Sequence, residues 1–213
     1  MISLLLDTSN QALSVAVNRD SKMVAEINTN YKKTHSETLV DNIQKVLEIA
    51  DIKKTELDRI IVAKGPGSYT GVRIGVTVAK MLAKQLNIPV YSVSSLFVLA
   101  VSHNIKGNAA PLIDARRAHV YGAVYNIKED DYTEVIAPQY IEFSSLSAEI
   151  DEAVYLLNSD EKITIDIDKY THVTPRISQT ERFEKALKLE DADQLVPDYL
   201  RISEAERNWQ DNQ

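Results

Sequence analysis

The first half of the chain alternates between short apolar runs and segments with helical periodicity. The continuous apolar run at residues 2–6 is typical of a strand covered on both faces. Residues 12–17 and 23–27 alternate well enough between apolar and polar side chains to predict two further strands. Residues 36–50 have a helical period instead, and one face of this predicted helix carries Leu39, Ile43, Val46, Leu47 and Ala50.

The alternation continues as far as about residue 105. Residues 60–63 predict a strand, residues 72–86 a helix and residues 90–93 another strand. Ser94 or Ser95 can cap a further helix that ends near residue 103. The first half therefore reads as β-β-β-α-β-α, with one more strand and one more helix before the pattern stops.

The polar segment Lys106-Gly107-Asn108 separates this half from a second one, in which the pattern begins again. We therefore predict two domains, at residues 1–105 and 106–213. Both halves open with three predicted strands, which suggests a duplication of the fold without a repeat of the residues. In the second half we predict strands at 110–113, 120–127, 134–143 and 163–167, helices at 144–150 and 181–189, and a polar tail after 199.

Composition narrows the functions open to this chain. Its 213 residues carry a formal net charge of −7, which argues against the isolated chain gripping a nucleic-acid backbone. The chain has no cysteine, so disulfides, a thiol nucleophile and cysteine-ligated metals are excluded. It begins without the basic segment of a signal peptide, and no apolar run approaches the roughly eighteen residues of a membrane span. We expect a cytoplasmic protein that does not enter membranes.

The segment at residues 65–75, GPGSYTGVRIG, holds four of the six glycines. A glycine loop between a strand and a helix can aim backbone amides at a phosphate. Its glycines can equally serve a tight turn or a close packing contact. The spacing fits neither a P-loop, since Val72-Arg73 stands in place of Lys-Ser/Thr, nor a dinucleotide fingerprint. These residues therefore leave two interpretations of the loop open. It could be a phosphate-binding loop (a phosphate cradle) or a close packing contact within the protein (a packing joint).

The helix after the loop carries small residues every four positions, at Gly71, Gly75, Ala79 and Ala83. Such a stripe makes one helix face smooth and lets another helix approach closely. This spacing favours the packing joint, although packing and phosphate contact do not exclude each other.

Three other polar features are candidate sites, each with a structural alternative. Asp7-Thr8-Ser9 could orient a metal-bound phosphate or form an Asx-turn. The segment at 114–121, DARRAHVY, could be a charged hairpin or aim an arginine pair at an anion. His35 lacks a second ligand at helical spacing, because position 39 is Leu, and the other histidines are scattered. We expect no metal site.

Five motifs follow one another along the chain: DTS at 7–9, HSE at 35–37 with Leu39, GPGSYTGVRIG at 65–75, DAR at 114–116 with Val120-Tyr121, and PDYLR at 197–201. In this order they closely resemble those of the bacterial TsaB (YeaZ-type) family, the partner subunit of the tRNA threonylcarbamoyladenosine synthase. The likeness is strong over residues 1–125, looser over 126–195, and returns at 197–201. His119 stands where the family usually has Glu.

The resemblance implies an actin-like ATPase or ribonuclease H-like α/β fold, made of two similar domains with mixed sheets. It also implies a non-catalytic subunit that binds the catalytic subunit TsaD. With TsaD and the ATPase TsaE, such a subunit supports transfer of a threonylcarbamoyl group to the adenosine beside the tRNA anticodon. ATP or ADP and the metal of TsaD would belong to the complex, and tRNA would be met only through it. The isolated chain could also form a homodimer.

The resemblance assigns residues to these roles. TsaD carries metal-binding histidines at positions that align with Ser95 and Leu99, and neither side chain can replace histidine as an iron or zinc ligand. The predicted partner interface comprises His35, Leu39, Ile43, Gly71, Val72, Gly75, Ala79 and Leu82. The predicted nucleotide or phosphate contacts are Asp7, Thr8, Ser9, Gly65, Gly67 and Ser68.

Two other functions compete with this one. An active phosphotransferase of the same superfold would use Asp7-Thr8-Ser9 and the glycine loop. A metallopeptidase is an activity suggested within the wider family, and it would require a bound metal.

Overall fold

The computed structural model describes residues 1–30, 35–150, 152–158, 165, 167 and 169–200. These residues form two mixed β-sheets and four α-helices. The strands are β1 (Ile2–Asp7), β2 (Leu13–Arg19), β3 (Lys22–Thr29), β4 (Arg59–Ala63), β5 (Val90–Val93), β6 (Gly107–Asp114), β7 (His119–Ile127), β8 (Tyr132–Glu142), β9 (Val154–Leu157), β10 (Thr171–His172) and β11 (Lys188–Glu190). The helices are α1 (His35–Ala50), α2 (Tyr69–Leu86), α3 (Ser95–Ser102) and α4 (Phe143–Ala148).

The first sheet has the strand order β11-β5-β4-β1-β2-β3. Strand β1 pairs in parallel with β4 and antiparallel with β2. Both faces of the sheet are covered, because Leu4 and Leu6 pack against α1 and α2 while Leu5 packs in the core that contains α3. This double burial explains why the first strand is apolar at consecutive positions.

The second sheet repeats the topology of the first. Its order, β10-β9-β6-β7-β8, corresponds strand for strand to β5-β4-β1-β2-β3. Each pair also keeps its orientation, since β6 pairs in parallel with β9 and antiparallel with β7. Helix α3 shares a core with side chains of both sheets, whereas α4 covers the other face of the second sheet. The predicted α/β class with two similar mixed-sheet domains is confirmed.

After the second sheet the chain returns to the first domain. Strand β11 pairs antiparallel with β5, and the amide of Asp198 donates to the carbonyl oxygen of Lys64 at 2.7 Å. The division at residue 106 had assigned this returning segment to the second domain, so for these residues the division is wrong. Strands β1 to β5 and helices α1 to α3 lie within the predicted first domain.

Of the elements predicted for the second half, one differs from the structure and one lies largely outside the described residues. Residues 181–189, predicted as a helix, form a 3-10 turn at Glu184–Ala186 and the start of β11 instead. Residues 188–190 pair with β5, which requires an extended backbone, and Glu181 is fully buried in an ion pair with Arg59. The predicted strand at 163–167 lies largely outside the described residues, as does the polar tail beyond residue 200.

Candidate functional site

The glycine loop between β4 and α2 is held from both sides by the first domain. The amide of Gly65 donates to the hydroxyl of Ser95 at 3.0 Å, and the amide of Ser68 donates to the carbonyl oxygen of Ser9 at 2.8 Å. A side chain at Gly67 would place its Cβ 2.3 Å from that same carbonyl oxygen. Two amides of the loop therefore donate hydrogen bonds within the chain and are not free to bind a phosphate. This favours the packing joint over the phosphate cradle.

Gly65 also serves the returning C-terminal segment. Its φ angle of +117° is a conformation that L side chains rarely adopt. A Cβ there would lie 2.5 Å from the carbonyl oxygen of Asp198. The loop is thus packed between the end of β1 on one side and the residues near 198 on the other.

The small-residue stripe of α2 faces inward and not toward a partner. Gly71, Gly75, Ala79 and Ala83 are all buried within the chain. A Cβ at Gly71 would lie 2.2 Å from the carbonyl oxygen of Thr8, and one at Gly75 would lie 2.4 Å from its hydroxyl oxygen. The glycines therefore let α2 approach the end of β1, and the prediction that Gly71, Gly75 and Ala79 contact another subunit directly is wrong.

Other predicted interface residues are also part of the first domain's own core. Leu39, Ile43 and Val72 are less than a tenth exposed. Leu82 is half-buried against the same core. The ring nitrogen Nε2 of His35 lies 2.9 Å from the carbonyl oxygen of Asn10, so this side chain joins α1 to the loop after β1. The resemblance assigned Leu39 and Ile43 to the interface, and both lie on the apolar face of α1, which is the face that folding buries.

The outer surface of α1 and α2 carries large apolar side chains that the predicted list missed. Val40 on α1 is 62% exposed and Met81 on α2 is 66% exposed. Between the helices runs a groove of about 1000 Å³, to which Val40, Leu82 and Leu86 contribute. The sequence did contain a signal for this surface, because Val40 and Met81 are apolar but do not fall on the buried faces of their helices. We refer to Val40, Met81 and Leu82 as the outer helix face.

Asp7 ends β1 beneath the loop that follows it. Its Oδ1 accepts hydrogen bonds from the amide of Ser9 at 2.8 Å and from the Ser9 hydroxyl at 2.6 Å, which is the geometry of an Asx-turn. Its Oδ2 has no hydrogen-bond partner in the described part of the chain. Complete burial raises the pKa of the Asp7 carboxyl, and the hydrogen bonds from Ser9 oppose this effect.

A cleft of about 490 Å³ opens between the two domains. The first domain contributes the loop after β1, the start of α1 and the glycine loop, and the second domain contributes the ends of β6 and β9 and part of β7. Of the six predicted phosphate contacts, Ser9, Gly67 and Ser68 line this cleft, and phosphate contact by them stays a prediction. Asp7, Thr8 and Gly65 are buried in the surrounding structure.

The two positions that align with metal ligands of TsaD lie at the start of α3. Ser95 and Leu99 are both fully buried, and the Ser95 hydroxyl is the acceptor for the amide of Gly65. Across the described residues, no group of three His, Cys, Asp or Glu side chains is arranged to hold a metal ion. None of the described helices is both long and apolar enough to span a membrane.

Comparisons with known proteins agree with these observations. Residues 22–158 match the model of the family described as TsaD, tRNA N6-adenosine threonylcarbamoyltransferase. The chain is 38% identical over its whole length to the Bacillus subtilis tRNA threonylcarbamoyladenosine biosynthesis protein TsaB, all of which it covers. It is 32% identical over 130 residues to Escherichia coli TsaB, which is 60% of this chain and 56% of that protein.

A solved structure shows the same fold. YeaZ from Pseudomonas aeruginosa superposes with a TM-score of 0.76 at 23% identity, covering 93% of this chain and 99% of that one. The predicted actin-like α/β fold with two mixed-sheet domains is therefore confirmed. The chain belongs to the TsaB family of tRNA threonylcarbamoyladenosine biosynthesis proteins.

Proposed function

We propose that this chain is a non-catalytic subunit in the synthesis of threonylcarbamoyladenosine on tRNA. In this proposal it binds a TsaD-type catalytic subunit in the cytoplasm, through the outer helix face. Together with the ATPase TsaE, the pair transfers a threonylcarbamoyl group to the adenosine beside the anticodon. ATP or ADP and the catalytic metal are held by the other subunits or by the assembled complex.

The observation that carries the proposal is the outer helix face itself. Exposed Val40 lines the groove between two helices whose inner faces are already filled by the domain's own core. Exposed Met81 precedes Leu82, which also lines the groove. Apolar groups grouped around a groove are typical of a surface that another protein covers. Tyr69, at the first turn of α2, is also exposed, and its ring stacks on Tyr199 at 4.8 Å between centroids.

The environments of Thr8, Ser95 and Leu99 support a role without catalysis. The Thr8 hydroxyl, which a phosphotransferase would need at the end of β1, is bonded to the backbone of α2 on both its donor and acceptor sides. The Ser95 hydroxyl is bonded to the glycine loop. Leu99 is buried, so its position offers neither a ligand atom nor access. These residues stabilise the joint between β1, the glycine loop, α2 and α3.

Size-exclusion chromatography with TsaD tests the proposed surface. The variants Val40→Asp and Met81→Asp each place a charge on the outer helix face without entering the core, and we expect either one to weaken the complex at least tenfold. The matched control is Val135→Asp on strand β8, since Val135 is 54% exposed on the second domain. An undiminished complex with both helix variants would refute the outer helix face as the binding surface.

Reconstitution tests the role. We expect tRNA modification by TsaD and TsaE to require this chain and to be lost with Val40→Asp in proportion to lost binding. The same variant should also disperse a homodimer of the isolated chain if self-association uses this face. Modification that proceeds equally well without the chain would overturn the proposed function.

A further inference from the structure

A strained hairpin at the mouth of the cleft carries two arginines. Arg116, Arg117 and Ala118 join β6 to β7 with φ angles of 67°, 53° and 61°. This left-handed conformation is uncommon for any residue with a Cβ, and glycine, asparagine or aspartate adopt it more readily. The chain therefore keeps two long cationic side chains at positions where local backbone preference favours other residues.

Both guanidinium groups are exposed and unpaired. Within the described residues neither side chain forms an ion pair or a hydrogen bond, although the amide of Arg116 donates to Asp114 Oδ1 at 2.7 Å. Some other arginines in the described chain form ion pairs, as with Arg59 and Glu181 or Arg176 and Glu26. An unpaired pair of arginines on a chain with net charge −7 is thus a local exception to the acidic surface.

Aromatic rings extend from the hairpin into the cleft. His119 stacks on Tyr140 with 4.8 Å between ring centroids and 17° between planes, and Tyr140 lies 5.6 Å from Tyr121. Tyr121 and Tyr140 are direct partners in the β7–β8 pairing, and His119 lies two residues before Tyr121, so the three rings share one face of the sheet. All three are half-buried, and Tyr121 also lines the cleft, as does Arg116.

We propose that this hairpin and ring cluster bind a single-stranded segment of RNA. Arginine guanidinium groups pair with phosphate oxygens in two-point geometry, and unstacked bases stack on Tyr and His rings. Single-stranded RNA supplies both groups at adjacent positions. The inference rests on the proposed function only in taking that RNA to be the anticodon loop of the tRNA. It adds a direct RNA contact by this chain, whereas we had expected tRNA to be met only through the complex.

The test is equilibrium binding of a fluorescent anticodon stem-loop RNA to the purified full chain, followed by anisotropy. Affinity is measured between about 0.05 and 0.2 M salt, a range over which phosphate contacts change affinity steeply. In the double variant Arg116→Gly with Arg117→Gly, we expect affinity to fall roughly tenfold and the slope of log K against log salt to decrease by about 1.4, from two lost contacts.

Glycine separates a binding role from a structural one. At positive φ it relieves the strain of the hairpin, so the urea midpoint of the double variant should stay unchanged or rise. The control Lys106→Gln with Lys128→Gln removes two cations at the opposite end of strands β6 and β7 and should leave both affinity and slope unchanged. His119→Ala should weaken binding, and His119→Phe, which keeps a ring, should restore most of it.

Several results would overturn the inference. These are no RNA binding by the wild-type chain, an unchanged slope in the glycine variant, or an equal loss in the lysine control. Displacement of the RNA by free AMP would assign the surface to a mononucleotide instead. Failure of the TsaD complex in chromatography would refute the proposed function without altering this binding measurement.

Discussion

The hydroxyl of Thr8 accepts a hydrogen bond from the backbone amide of Gly75 at 3.1 Å and donates one to the carbonyl oxygen of Gly71 at 2.7 Å. Gly71 and Gly75 are four residues apart, so these two backbone groups are the ones that pair with each other in a regular α-helix. The side chain of the residue that follows β1 is thus inserted between two hydrogen-bonding groups of the helix, which fixes the position of α2 on the sheet.

This insertion predicts strong coupling between residues 8 and 75. Gly75→Ala should destabilise the chain by about 1–3 kcal/mol, since its Cβ would meet the Thr8 hydroxyl oxygen at 2.4 Å. Thr8→Ala should cost about 1 kcal/mol from the lost hydrogen bonds. In the double variant the methyl group has room, because its next contacts are the retained Cβ of residue 8 at 3.6 Å and Val62 at 3.7 Å, both ordinary van der Waals distances.

Urea unfolding of the four proteins in this double-mutant cycle measures the coupling. We expect Gly75→Ala to be neutral or stabilising in the Thr8→Ala background, where alanine's helix propensity adds about 1 kcal/mol over glycine. Thr77→Ala, on the exposed side of the same helix, controls for changes in helix propensity alone. Additive effects of the two substitutions would contradict the insertion.

The same joint shows what the sequence could and could not predict. Spacing of Gly71, Gly75, Ala79 and Ala83 correctly indicated a face that something approaches closely. It could not indicate what approaches, because the partner is Thr8, more than sixty residues earlier in the chain. A stripe of small residues indicates that another surface packs closely against the helix, but it does not identify that surface.

Local sequence patterns predicted secondary structure reliably for elements whose conformation depends on their own residues. The strands and helices of the first domain follow from periodicity, and α1 (His35–Ala50) begins one residue before its predicted start. Strand β11 was missed because three residues contain no readable period, and its pairing with β5 spans about a hundred residues. The exposed Val40 and Met81 were missed for a different reason, since periodicity identifies the face that folding buries.

Asp7 predicts an unusual dependence of stability on pH. Burial raises the pKa of this carboxyl above its ordinary value of 3.8. The protonated carboxyl is therefore favoured by folding, and its contribution is fully present below the unfolded-state pKa and is lost as pH rises through the folded-state pKa. Asp7→Asn, which mimics the protonated form, should match the wild-type chain near pH 4 and be more stable at neutral pH.

Urea midpoints of the two proteins across pH 4–8 test this. The difference between them should grow with pH and then level off above the folded-state pKa. Asp41→Asn, on the exposed face of α1, controls for removing one negative charge from the surface. A difference that is constant with pH would contradict a raised pKa at Asp7.

Arg59 predicts opposite outcomes for its two acidic partners. Its Nη2 lies 2.7 Å from Glu181, whose side chain is fully buried, and 2.9 Å from Glu184, whose side chain is 61% exposed. Glu181→Gln should destabilise the chain by roughly 3 kcal/mol, because it leaves a buried guanidinium without its main counter-charge. Glu184→Gln should cost less than about 1 kcal/mol, since water replaces an exposed partner.

Thermal or urea unfolding of the two variants measures these losses in stability. Each variant serves as the control for the other, because both remove a partner of the same guanidinium group. Equal losses would show that burial does not set the strength of this ion pair. A loss at Glu181 alone would assign the strength of this ion pair to its burial.

The stack of Tyr199 on Tyr69 predicts how the returning C-terminal segment is held. With the rings 4.8 Å apart at the first turn of α2, this pair closes the segment over the glycine loop. An aromatic pair contributes about 1 kcal/mol, so Tyr199→Ala should make the amide of Asp198, which donates to Lys64, exchange with solvent roughly fivefold faster. Tyr199→Phe keeps the ring and should preserve protection, and Tyr170→Ala controls for losing an exposed ring elsewhere. Unchanged exchange in Tyr199→Ala would mean that β11 and the Asp198 hydrogen bond hold the segment without the stack.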